Sequence, residues 1–134
     1  IEDAIYATKA ALKEGIVPGG GVALLNAATN ITPENPGEEI LLKAILAPFH
    51  VILENAGMSV TPIGSEWKLE QATPVSEDGF GINVVTGETV NMIEAGIIDP
   101  VLVTKAALKN AVSVVSTIIS ADCVISNMRM NESN

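Results

Sequence analysis

Apolar positions along the chain fall into two periods, and the changes of period mark the predicted elements. Ile1, Ala4, Ile5, Ala11 and Leu12, with Thr8 between them, share one face of a helix over residues 1–14. Gly15 is its stop signal. An alanine- and leucine-rich run predicts a second short helix over residues 22–31, and "TNITPENPGE" a turn-rich connector. Residues 38–56 form a longer helical pattern that is apolar nearly all round, as interior helices are. Pro48 is expected to kink it, and Gly57 to close it. Residues 58–80 show little periodicity and predict mostly loop around one helical turn. "INVVTGETVNM" predicts a β-hairpin, with β-branched residues on either side of a Thr86–Gly87–Glu88 turn. Asp99 as N-cap and Pro100 at the first helical position then open the last long helix. "DCVIS" continues that helix or forms a short strand, and a polar tail follows. The fold class is mainly α, a helical bundle with one small hairpin.

Composition changes this picture in one respect. The chain has 134 residues, of which 48% are hydrophobic and 17% charged, with a mean hydropathy of +0.39. Soluble domains average about 25% charged residues. Part of the apolar surface is therefore expected to meet another chain or a further part of the same one. The opening in mid-helix, without methionine, likewise suggests a piece of something larger.

Charge excludes one class of partner. With 16 acidic against 7 basic residues the net charge is −9, and no basic stripe is available to displace counterions from nucleic acid. No membrane is expected either. No uninterrupted apolar run reaches the ~18 residues of a span, and the longest, around residues 106–125, is broken by Lys109, Asn110 and Asp122. The N-terminal Glu2 and Asp3 lie in an amphipathic pattern foreign to a signal peptide. The single Cys123 cannot form an internal disulfide, which suits a reducing compartment.

Candidate chemistry starts with Gly19–Gly20–Gly21 before the second helix. Glycines at a helix entrance let an anion or nucleotide approach amides that the helix dipole makes electropositive. A flexible hinge followed by tight helix packing explains the same residues. They follow a helix and not a strand, and no G-x-x-x-x-G-K-[ST] motif occurs, so Rossmann and P-loop contexts are excluded. Asp99 suits an N-cap, and its second oxygen is free to accept from ribose hydroxyls. Asn83 offers a donor and an acceptor to a purine edge, or is a plain hairpin asparagine. Asp3 on the first helix is a solvated carboxylate unless a substrate comes to it. His50 and Cys123 have no metal-ligand spacing, and no nucleophile–base pair is present.

Taken in order, "IEDAIYATKAALKEGIVPGGGVALL", "LKAILAPFHVILENAG" and "NVVTGETVNMIEAGIIDPVLVTKAALKNAVSVV" closely resemble the C-terminal quarter of GroEL-type, group I chaperonin large subunits. The likeness runs from Ile1 to about Ser126 and is weakest over residues 58–80. It implies the end of an intermediate domain and its hinge at residues 1–15. It implies the C-terminal part of a helical, ATP-binding equatorial domain at residues 16–134. By the same resemblance Asp3 activates the attacking water in ATP hydrolysis and Gly15 is the hinge. Gly20 lies beside the adenosine portion, Asn83, Val84 and Val85 touch the adenine, and Asp99 holds the ribose.

The resemblance implies ATP and Mg²⁺ as cofactors, with phosphate loop and metal ligands in the other half of the equatorial domain. It implies stacked seven-membered rings of identical subunits, a cochaperonin and unfolded client proteins as partners. The expected compartment is the cytoplasm, with mitochondrial matrix or plastid stroma as alternatives. This piece alone is expected to be inactive. Three departures stand out. Valines at 84 and 85 replace the usual alanines and are expected to narrow the adenine slot, Ile82 replaces a common aromatic residue, and "NMRMNESN" replaces a Gly-Gly-Met tail. The competing reading is a helical structural or assembly module without a nucleotide.

Overall fold

The structure is a computed structural model that describes residues 1–58, 60–63, 66–69 and 78–121. Among these are five helices and three two-stranded antiparallel sheets, in a mainly helical chain.

Helix α1 (Glu2–Glu14) ends at Gly15, whose N–H donates to the Ala11 carbonyl at 2.8 Å. Gly15 has φ 87° and ψ −169°, a region essentially reserved for glycine, so the residue is required by conformation. The chain then forms strand β1 (Ile16–Pro18), turns through the three glycines and enters α2 (Val22–Asn30).

The predicted long helix is two: α3 (Pro36–Ala44) and α4 (Ala47–Asn55). Pro48 does not kink one helix. It sits in the first turn of a new one, where its missing N–H leaves no bond unmade. A capping box starts α3 earlier than its apolar pattern does. Glu38 N–H donates to Asn35 Oδ1 at 3.0 Å, while the Glu38 carboxylate accepts from Asn35 Nδ2 and from Glu34 N–H.

Strands β2 (Val60–Ile63) and β3 (Glu66–Leu69) pair inside the segment expected to be mostly loop. Strands β4 (Phe80–Asn83) and β5 (Glu88–Asn91) form the expected hairpin, but its turn lies at residues 84–87 and not at Thr86–Gly87–Glu88: Val84 and Val85 belong to the turn, and Glu88 pairs with Asn83 in the ladder. Strand β6 (Ile98–Pro100) precedes α5 (Val101–Ile119), so Asp99 lies in a strand and does not cap the helix. The first amide of α5, Val101 N–H, donates instead to the Gly15 carbonyl at 3.1 Å. "DCVIS" after Ala121, Cys123 and the polar tail lie outside the described residues.

The core is small. Val22 and Leu25 of α2, Phe49 and Leu53 of α4, Ile82 of β4 and Met92 after β5 form one buried cluster. No residue of α3 or α5 is buried. Between α5 and the α2–α4 helices runs a groove of about 830 Å³, walled by Leu24, Ile40, Leu41, Val103, Leu108 and Val115 among others. The excess of apolar residues in the composition is this uncovered surface. Helix α5 is also long and apolar enough, with a mean hydropathy of 1.4, to cross a membrane by length and composition. The averaged criterion differs here from the uninterrupted-run one, because Lys105 and Lys109 interrupt the run without lowering the mean enough. Those criteria are equally met by apolar helices that pack against protein. Lys105 is in fact held at 2.9 Å from Glu14 of α1.

Candidate functional site

Strand β1 pairs with β6 in the register Ile16↔Pro100, Val17↔Asp99, Pro18↔Ile98. Prolines at both ends of this ladder lack donors, which keeps it three residues long. One more bond, Gly19 N–H to the Ile97 carbonyl at 2.9 Å, extends the contact into the glycine turn. Thus a backbone ladder holds Asp99 beside the turn, although some eighty residues separate them in sequence. The Asp99 side chain is exposed and makes no hydrogen bond among the described residues.

The three glycines answer to different neighbours. A Cβ on Gly19 would stand 3.1 Å from the Ile97–Ile98 backbone. On Gly21 it would stand 2.6 Å from Phe49 N and 2.8 Å from Phe49 Cα, with φ at +80° besides. On Gly20 (φ +65°) it would meet Met92 Cε at 3.0 Å. Close approach of protein to protein therefore accounts for Gly19 and Gly21. The helix dipole of α2 begins immediately afterwards, at Val22.

Met92 was not among the residues singled out from the sequence, where it is one more apolar position after the hairpin. Only 1% exposed, it fills the space between the Gly20 turn and Gly81 of β4, whose added Cβ would stand 2.8 Å from its sulfur and collide with Val22 Cγ2. Its N–H donates to the Gly79 carbonyl at 3.0 Å, and its carbonyl accepts from Ile97 N–H at 2.8 Å. One side chain and two backbone bonds thus join the hairpin, the glycine turn and the segment leading to Asp99.

Asn83 ends β4, two residues beyond Gly81, or about 7 Å along the strand. Its Oδ1 accepts from Val85 N–H at 3.0 Å, so the acceptor expected to face a purine is engaged within the turn. Val84 and Val85 follow at the hairpin tip, 38% and 90% exposed. Asp3 lies elsewhere. Twelve residues of helix put it about 18 Å from Gly15 along α1, exposed in the first helical turn.

Of these residues, Asp99 lies at the middle of one backbone ladder and Gly20 just beyond its end, and Met92 joins the hairpin to both segments. Asp3 stays apart. The large groove reaches this region through Pro18, Gly21 and Asp99, its single carboxylate, and is lined by neither Gly20 nor the hairpin tip. No group of three His, Cys, Asp or Glu residues suited to a metal ion exists among the described residues. His50 packs its ring 6.1 Å from that of Phe49, beside the core.

Such an arrangement, a glycine turn opening a helix with an unbonded carboxylate beside it, is competent to hold a polyhydroxylated, partly anionic ligand by backbone amides and one acceptor. The sequence model of the TCP-1/cpn60 chaperonin family matches residues 1–129. With nearly its whole length matched, the chain belongs to the TCP-1/cpn60 chaperonin family.

Proposed function

We propose that this chain is the C-terminal part of a GroEL-type, group I chaperonin large subunit whose whole form binds and hydrolyses ATP to encapsulate and refold non-native proteins. Residues 1–15 are the end of its intermediate domain with the hinge, and residues 16–134 belong to its equatorial domain. Chaperonins in general are ring-forming, nucleotide- and Mg²⁺-dependent ATPases that act on client proteins. The reading for this chain is supported above all by the Val17↔Asp99 pairing, which brings a free carboxylate to the strand that leads into the glycine turn two residues on.

In this reading Asp99 accepts hydrogen bonds from the ribose hydroxyls, and the turn at Gly20 lies along the nucleoside. The tip at Val84 and Val85 walls the base. Asp3 holds the proton-accepting carboxylate on a separate arm, and rotation about Gly15 carries it to the γ-phosphate. That rotation has to release the Val101 N–H bond to the Gly15 carbonyl and the Glu14–Lys105 ion pair, which hold α1 against α5. Mg²⁺ neutralises phosphate charge in phosphoryl transfer. The described residues provide no cluster of ligands for it, so its ligands are assigned to the remainder of the subunit and no step is routed through it. In this reading the phosphate loop also belongs to the remainder of the subunit, so the 134-residue chain alone is expected to have no ATPase activity.

Replacing Asp3 with Ala in the whole subunit tests the reading. Hydrolysis falls by at least about a hundredfold, the usual worth of a general base, while ATP binding persists. Unchanged turnover overturns it. A second reading, a helical assembly module without nucleotide, is favoured by one observation: Phe49 and Ile97 already account for Gly21 and Gly19. It requires ATP binding to be absent from the wild-type subunit.

A further inference from the structure

We infer that Asn83 is a positioning residue, which shapes the turn that walls the base through its side-chain oxygen and does not read the base with that oxygen. The inference rests on the nucleotide reading above and deepens it. Val85, Thr86 and Gly87 all direct their amide N–H groups at Asn83. Val85 donates to Oδ1 at 3.0 Å, and Thr86 and Gly87 donate to the Asn83 carbonyl at 3.2 and 2.7 Å. This is an Asx turn laid over a backbone turn.

The turn needs such help. Valine is a poor turn residue, because its branched Cβ favours extended backbone, yet two valines stand here side by side. Gly87 contributes a positive φ of 76° at the far end, and Asn83 supplies the hydrogen bonds at the near end. With Oδ1 held by Val85 N–H, an incoming base that claimed that oxygen would have to share it or open the turn. Opening the turn would displace Val84 and Val85, the surfaces the base is to lie on. The Nδ2 group makes no hydrogen bond among the described residues, but it is not required for the turn.

Asparagine and aspartate both make Asx turns, whereas only asparagine carries the amide donor, so two variants of the whole subunit separate the roles. Hydrogen exchange at the Val85 amide reports the turn, and affinities for ATP and GTP report the base. Asn83→Asp is expected to keep Val85 protected and ATP affinity within about twofold. Asn83→Ala is expected to speed Val85 exchange and weaken ATP about fivefold, the worth of one net hydrogen bond, with the ATP-to-GTP ratio unchanged. The inference is overturned if Asn83→Asp loses as much ATP affinity as Asn83→Ala, or if either variant alters that ratio. Unchanged Val85 exchange in Asn83→Ala overturns it as well. A wild-type subunit that binds no ATP overturns the nucleotide reading and with it the base-side role, while the exchange data still decide whether Asn83 shapes the turn.

Discussion

Glu14 Oε2 and Lys105 Nζ, 91 residues apart in sequence, meet at 2.9 Å next to the point where Gly15 breaks the first helix. The pair ties the last residue of α1 to α5. Beside it the Gly15 carbonyl receives Val101 N–H at 3.1 Å, so an ion pair and a backbone bond close the joint at the end of α1, which also packs against α5 and β6 and buries Ala10.

That joint predicts a small effect on stability and a larger one on opening. Lys105 is 68% and Glu14 30% exposed at the side chain, and ion pairs in such settings contribute below about 1 kcal/mol. Lys105→Gln therefore lowers the thermal midpoint only slightly. Exchange of the Val101 amide accelerates, and raising salt reproduces part of that acceleration in the unmodified protein through screening. A large fall in thermal midpoint would show that the pair supports the core and not the joint.

Glycines at 15 and 21 fail for different reasons when replaced. Gly21→Ala sets a methyl group into the backbone of Phe49 while forcing a left-handed φ, and is expected to cost roughly 2–5 kcal/mol. Gly15→Ala meets no atom and bears only conformational strain of about 1–3 kcal/mol. The strain in Gly15→Ala is relieved when α1 swings, so this variant shifts the arm's position, and Gly21→Ala unfolds the chain. Denaturant midpoints together with protease sensitivity of α1 distinguish the two.

What was legible in the sequence follows from how local the cause is. Helix α1 and its glycine stop, α2 and the β4–β5 hairpin depend on neighbours within a few residues, and their patterns carry them. The β1–β6 ladder does not. Three-residue strands have no room for alternation, and each contains a proline, so only the pairing of distant segments reveals them. The same pairing removed the Asp99 cap, because the Gly15 carbonyl supplies what the cap would have satisfied. In the α3–α4 region the apolar positions continue across residues 45 and 46, so periodicity suggested one helix. The break follows from Pro48 taking its favoured place in a first turn. Gly20, Asn83 and Asp99 stood out as unusual residue types, whereas Met92 did not, since a buried methionine differs from its neighbours only in what it touches.

Helix α3 buries no residue, so local devices hold it. Asn35→Ala removes the capping box and is expected to cost about 1 kcal/mol, read as lost helicity in circular dichroism. Lys43, bonded to Glu39 at 2.7 Å and adding its positive charge, holds the Glu39 carboxyl below its ordinary value of 4.5. A carboxyl depressed in the folded state stabilises at pH values above the unfolded value and loses that contribution as pH falls through the folded one. Glu39→Gln is therefore slightly less stable than the unmodified protein near neutrality, and the difference closes on acidification. A difference that widened in acid would contradict the pairing.

Asp99 offers the cleanest separation of structural from ligand-binding roles. Had it capped α5, replacing it with Ala would cost about 1 kcal/mol. In the structure it caps nothing, is exposed and lies on a three-residue strand opposite Val17, and substitutions at such places stay within about 0.5 kcal/mol. Asp99→Asn keeps the shape and one acceptor oxygen but removes the charge, and Asp99→Ala removes both. Under the nucleotide reading, ATP affinity of the whole subunit falls in the order Asp99, Asn, Ala. The full loss is on the order of tenfold to a hundredfold, the 1.5–3 kcal/mol of hydrogen bonds to a charged group. Thermal midpoints of all three proteins coincide. Affinity that fell only in step with stability would return Asp99 to a structural part, and the backbone ladder would then serve to join α1 to α5 with no ligand between them.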